Sequence, residues 1–272
     1  MSSIPKSRQQ DSHNDSQCTR CLPLVRELTE RALAMAIDAS PHAPRAREGE
    51  SIRSLASILP LARQAVGLPH DSAFEAPPPG IVRWTDGLGH SRPSYGYLAS
   101  RLLQRAGRPV PDLPPTKAEP ESPEAHVHDL WNELLQVPAE SEPSIVHPDQ
   151  ASPEPLFTQQ PDDSPDEWTY RELVGLHGLM TLARIKADPK LADQAARVAL
   201  HHVEHTQPDY TTYQPWALYW FIRWQPTATF GEQQLHDVAT HLAVEGPPGA
   251  LVPALLLADA LIDLEHEAKH QA

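Results

Sequence analysis

Cysteine is scarce in this chain, glycine is thin, and no apolar run is long. The two cysteines, Cys18 and Cys21, stand together as CTRC. A C-x-x-C pair suits a redox dithiol or half of a zinc site. No second such pair exists, no βαβ pattern surrounds it, and His13 and His42 are ill-placed as further ligands. The nearest approach to a membrane span, residues 250–264, is too short and is broken by Asp259 and Asp263. MSSIPKSRQQDSHNDSQ at the N-terminus lacks the apolar core of a secretory signal. A soluble, cytoplasmic protein without a membrane partner is therefore expected. Basic residues number 22 against 36 acidic ones and form no stripe, which argues against a nucleic-acid partner. No complete catalytic constellation is present, and no cofactor is expected.

What the chain does have is proline and an uneven charge. It is 272 residues long, enough for one large domain or two modest ones. Thirty prolines against twelve glycines point to long segments outside any core. Of the net charge of −14, most lies between Pro109 and Asp166, which hold thirteen acidic residues and the single base Lys117. The same stretch carries thirteen prolines. Residues 109–166 thus read as an acidic, proline-rich linker that cannot bury enough apolar area to fold alone. One island interrupts it. In HVHDLWNELLQV, residues 126–137, Val127, Leu130, Trp131 and Leu134 share a helical face. That short helix could dock on the domain, on a partner, or simply tie the linker down.

On either side the periodicity is helical. Residues 1–20 are polar and expected to be disordered. Residues 21–108 form an N-terminal helical region. In it a helix is predicted over Pro23 to Asp38, a second from Glu50 to Val66 kinked at Pro60, and a third from Ser94 to Arg105. Between the last two, Ile81 to Trp84 could be extended. Residues 167–272 make a five-helix C-terminal domain. Ser164 and Glu167 form a capping box for its first helix, and Asp188 caps the second. Pro215 opens the third, Thr229 and Glu232 suggest a box for the fourth, and Gly246-Pro247 stops it before a fifth from about Pro248 to Lys269. Short connections between such helices define an all-α fold of antiparallel hairpins, a helical bundle or partial α/α-toroid-like array. The stacking resembles α/α toroids and helical-repeat scaffolds in architecture, and an architecture implies no function.

The sharpest local motif is HHVEH at 201–205, which fits H-x-x-E-H. In that reading His201 and His205 hold zinc and Glu204 is the base of a metal-dependent hydrolase. On a helical wheel, however, all three fall on the polar arc, while His202 faces the apolar one. A solvated helix end serves as well, since histidines near a helix C-terminus suit its dipole. His177, between Gly175 and Gly178, shares the apolar face of Leu173 and Met180 and reads as a hydrogen-bonded core residue beside a close helix contact. Asp259, Asp263 and His266 form a stripe that could hold a cation but reads as the wet face of an amphipathic helix.

PWALYWFIRW places Trp216, Trp220 and Trp224 at i, i+4 and i+8 and has almost no polar face, so this helix is expected to anchor the core. The loop before it offers polar groups beside a tryptophan floor, a combination suited to a pocket. Asp209, Tyr210, Gln214 and Trp216, with His202, are the candidate ligand-binding residues. Two functions remain open: a non-catalytic helical binding or interaction protein with an unknown protein or small-molecule partner, and the hydrolase that uses His201, Glu204 and His205.

Overall fold

The computed structural model describes residues 7–39, 52–69, 83–85, 93–110, 112–113, 118–137, 152–159, 161, 163–206 and 212–271. Among them are nine α-helices: α1 (Ser7–Ala39), α2 (Leu59–Ala65), α3 (Pro93–Arg105), α4 (Pro123–Gln136), α5 (Pro165–Lys186), α6 (Pro189–His205), α7 (Leu218–Arg223), α8 (Ala228–Glu245) and α9 (Leu251–Gln271). Two three-residue strands, β1 (Ile52–Ser54) and β2 (Arg83–Thr85), pair in parallel with Arg53 opposite Trp84. The fold is all-α.

Local chemistry sets most helix ends. Ser122 caps α4, its hydroxyl accepting from the Ala125 N–H at 3.2 Å, with Pro123 in the first turn. Ser164 accepts from the Glu167 N–H, and Asp188 from the N–H groups of Lys190 and Leu191. Helix α5 stops at Ala187, a left-handed residue with φ 52°, and α8 stops at Gly246 with φ 64°.

Four expectations need correction. Helix α1 begins at Ser7 rather than Pro23, passing through the polar segment expected to be disordered. A helix already held by a packed face extends at little cost per residue, because nucleation is the expensive step. The predicted helix from Glu50 to Val66 is a strand, a 3-10 turn over Leu55–Ile58, and then α2. Pro60 lies in the first turn of α2, where its missing N–H costs nothing, so it starts the helix instead of kinking it. Thr229 is not a cap: it lies inside α8, which follows a 3-10 turn, and Thr227 at the cap position makes no side-chain capping bond. Finally, α7 begins at Leu218, because Ala217 takes up a left-handed turn after Pro215. Glu50 and Ile81 lie outside the described residues.

One apolar cluster runs from Cys21 to Leu264 and includes residues of every helix from α1 to α9. Its central member is α9, not the tryptophan helix. All residues from Leu251 to Leu261 are buried, and α1, α2, α3 and α7 pack around them. The N-terminal helices therefore share their core with the C-terminal ones. Helix α4 joins them. Val127, Leu130, Trp131 and Leu134 are all buried, and the helix lies along α5, so the island in the acidic segment docks on its own chain.

Gly175 and Gly178 make that docking close. A methyl group at Gly178 would stand 3.1 Å from Trp131 Nε1, and one at Gly175 would stand 3.3 Å from Val127 Cγ2. Trp131 is locked there by its Nε1–H, which donates to Val174 O at 3.1 Å.

Candidate functional site

Helices α5 and α9 each present an i, i+3, i+4, i+7 stripe to a common cleft. From α5 come His177, Met180, Thr181 and Arg184, and from α9 come Leu256, Asp259, Ala260 and Asp263. The segment Pro215 to Trp220 closes the third side, and the enclosed space is small, about 20 Å³. Leu256, Leu218, Met180 and Trp220 form apolar walls, and the charged residues form the floor.

Asp259 and Asp263 were expected on a wet helix face, but they are only 2% and 8% exposed. From Leu251 to Leu261 α9 is buried on every side, so the turn that carries Asp259 has no face left for water. Cations from other helices make this burial tolerable. Arg105, the last residue of α3, donates from Nε to Asp259 Oδ1 at 2.5 Å. It also grips Asp263 with both terminal nitrogens, at 3.0 and 2.6 Å. Arg184 adds a contact from Nη2 to Asp263 Oδ1 at 2.6 Å. Burial acts to raise both carboxyl pKa values, yet Arg105, with His177 at Asp259 and Arg184 at Asp263, holds them below the usual carboxylate range. His266, the third member of the predicted stripe, is exposed and takes no part in the cleft.

His177 is held by a hydrogen bond at Nδ1. Its Nδ1 accepts the Ala217 N–H at 3.1 Å, which puts the ring proton on Nε2, 3.2 Å from Asp259 Oδ2. Trp131 stacks on the ring at 5.4 Å, and Trp216 meets it edge-on at the same distance. Tyr219 Oη donates to Glu267 Oε2 at 3.0 Å, its ring lies 4.3 Å from the Arg184 guanidinium, and burial pushes its pKa up. Thr181 Oγ1 donates to His177 O.

The sequence-derived candidates divide. Asp209 and Tyr210 lie outside the described residues. Gln214 and Trp216 flank the cleft at its Pro215 edge but do not line it. Gln214 is half-buried, and Trp216 is a core residue whose carbonyl accepts from Gln234 Nε2 at 3.0 Å. His202 belongs elsewhere. It is fully buried, 3.7 Å from Glu172 Oε2, and burial lowers its pKa to about 3. Glu172 accepts the N–H groups of Leu156 and Phe157, pinning part of the acidic segment to α5.

His201, Glu204 and His205 occupy the polar arc, with Glu204 and His205 exposed. The rings of His201 and His205 stack 4.3 Å apart, and His205 Nδ1 lies 3.0 Å from His201 O. Among the described residues no three groups of metal-ligand type gather. Cys21 is a buried thiol whose pKa is raised by burial, and the Cys18 side chain lies outside the described residues. No described helix is long and apolar enough to cross a membrane.

Periodicity pointed to Asp259 and Asp263 as a stripe but not to Arg184 and Tyr219, which line the cleft with them, nor to Arg105, which pairs with both carboxylates. One signal was available. Two carboxylates set four apart inside an otherwise leucine- and alanine-rich helix demand buried cations, and arginines at helix ends can supply them.

No family model matches the chain, and no curated protein and no solved structure is similar to it at a significant level.

Proposed function

We propose that this chain is a non-catalytic helical binding protein whose small-molecule ligand seats in the cleft between α5, α9 and residues 215–220. The observation that carries this reading is the combination of apolar walls with a charged floor in one open cleft, the usual make-up of a ligand site. The bonding of its polar groups supports binding over acid–base chemistry. His177 Nδ1 is taken by the Ala217 N–H, Asp259 and Asp263 are held as weak bases by arginine, and the Tyr219 hydroxyl is committed to Glu267. Helix α4, the earlier candidate for docking a partner, is used up against α5.

The test is ligand-detected NMR of a fragment library against wild type and Ala260→Met, which fills the cleft from α9. Fragments should bind wild type and lose binding in the variant, whose circular dichroism should be unchanged. A library with no hits, or hits indifferent to the substitution, would remove this reading.

A further inference from the structure

A second surface lies on the other side of α5. Glu172 and Gly175 point away from the cleft stripe of His177, Thr181 and Arg184, and a segment of the acidic stretch crosses them. Residues 152–159 belong to no helix or strand, yet three helices hold them. At α6, Arg197 contacts Glu154 twice. The Glu154 N–H donates to Arg197 O at 3.2 Å, and Arg197 Nη1 donates to the Glu154 carboxylate at 3.2 Å. At α5, Glu172 accepts the successive N–H groups of Leu156, at 2.8 Å, and Phe157. Two neighbouring N–H groups around one carboxylate form an anion-binding nest. At α4, Phe157 is buried and meets His126 edge-on at 5.5 Å. Gly175 leaves the hollow that Leu156 fills, since a methyl group there would stand 2.6 Å from Leu156 Cδ2.

These are the contacts by which a folded domain reads a linear peptide: main-chain N–H groups on a fixed acceptor, an apolar side chain in a pocket, and a charge matched at the rim. Glu172 is fully buried, and among the described residues the hydrogen bonds it accepts are these two. Without them it is a buried carboxylate lacking donors, so the groove demands a chain across it. The segment that answers the demand is held lightly. Phe157 is its one buried residue, Leu156 is half-buried, and the Glu154–Arg197 pair is exposed and contributes little. The entropy lost in ordering the backbone opposes these gains.

We propose that α4, α5 and α6 form a groove for a linear peptide of a partner protein, of the pattern Glu-x-Leu-Phe, and that Glu154 to Phe157 fill it in cis until displaced. This groove is separate from the cleft and does not rest on it. A second copy of this chain is not the partner. It would bring the same segment with the same contacts, and a tethered segment outcompetes its untethered equal. The partner carries the same pattern with additional contacts of its own.

Two measurements on the full chain test this. In native-state hydrogen exchange, the amides of Leu156 and Phe157 should exchange about a hundredfold faster than those of Leu173 and Leu176 in α5, the mark of a segment that opens without global unfolding. Equal protection makes the segment a fixed part of the core and overturns the proposal. A fluorescent peptide of residues 152–159 is then titrated into wild type and into Leu156→Ala/Phe157→Ala, which empties the groove in cis. The variant should bind the peptide about tenfold more tightly than wild type does. Glu172→Gln in the same background, or the two alanines placed in the peptide, should each weaken binding about tenfold. A folded variant that does not bind the peptide, or binds it regardless of its sequence, overturns the proposal. So does a variant that cannot fold, because a displaceable segment must be dispensable. A wild-type dimer that the variant converts to a monomer gives the groove to a second copy and overturns the partner reading.

Discussion

Asp263 is the residue on which most of the buried charge depends. It contacts Arg105 and Arg184 at once, and both side chains are largely out of water. Removing one partner of a buried ion pair leaves an uncompensated charge, so Asp263→Ala should cost about 3–5 kcal/mol in urea unfolding. Glu154→Ala is the matched control. Its pair with Arg197, at 3.2 Å, is solvent-exposed, and its loss should stay within about 0.5 kcal/mol. Equal effects from the two would contradict the buried network. Glu172 offers a pH test. Burial raises its pKa from 4.5 to about 7. The folded state therefore holds this proton more tightly than the unfolded chain does, and the associated stability is present below about pH 4.5 and lost as the pH rises to about 7. His202 acts in the opposite sense, its contribution present above about pH 6.5 and lost toward about pH 3. Glu172→Gln removes only the first effect. Its stability relative to wild type should rise between about pH 5 and pH 8, by up to about 3 kcal/mol. A difference that stays flat or falls over that range would show that Glu172 is ionised throughout.

Among the helices, the contact of α4 with α5 is the most exacting. Alanine normally favours a helix over glycine by about 1 kcal/mol. At Gly178 that gain meets a fully buried indole whose own hydrogen bond prevents it from moving away. Overpacking of this kind costs about 1–3 kcal/mol. Gly178→Ala should therefore lower the melting temperature and shift the tryptophan emission, and an unchanged or higher melting temperature would refute the tight seat of Trp131. Gly231 is stricter still, since an added methyl there would meet Ile222 N at 3.0 Å and Phe221 C at 3.1 Å, both backbone atoms.

The molecule as a whole depends on its N-terminal part. Arg26 pairs with Glu265, Arg105 reaches Asp259 and Asp263, and α1 covers α9 along much of its length. A chain lacking residues 1–108 would expose the apolar surface of α9, leave Asp263 with Arg184, and take from Asp259 its Arg105 partner. It should lose cooperative thermal unfolding and near-UV circular dichroism, and become rapidly digested by protease. A stable, cooperatively melting fragment would instead make the five C-terminal helices an independent unit.

Periodicity and capping chemistry are local, so the sequence by itself determined the helices. The placement of Val127, Leu130, Trp131 and Leu134 on one face, the caps at Ser164 and Asp188, the stop at Gly246, the glycines that admit a neighbouring helix and the inward turn of His202 were all legible from spacing. Helix starts at Ser7 and Leu59 were not, because tertiary packing outweighed local signals there. The cleft borders the loop before Trp216 at Pro215, one residue beyond Gln214, and Asp209 and Tyr210 lie outside the described residues. Only the tertiary structure decided that Asp259 and Asp263 are buried. Their burial depends on Arg105, 154 positions earlier than Asp259, and on Arg184 from another helix. A helical wheel reports which residues share a face; it carries no information about what that face meets.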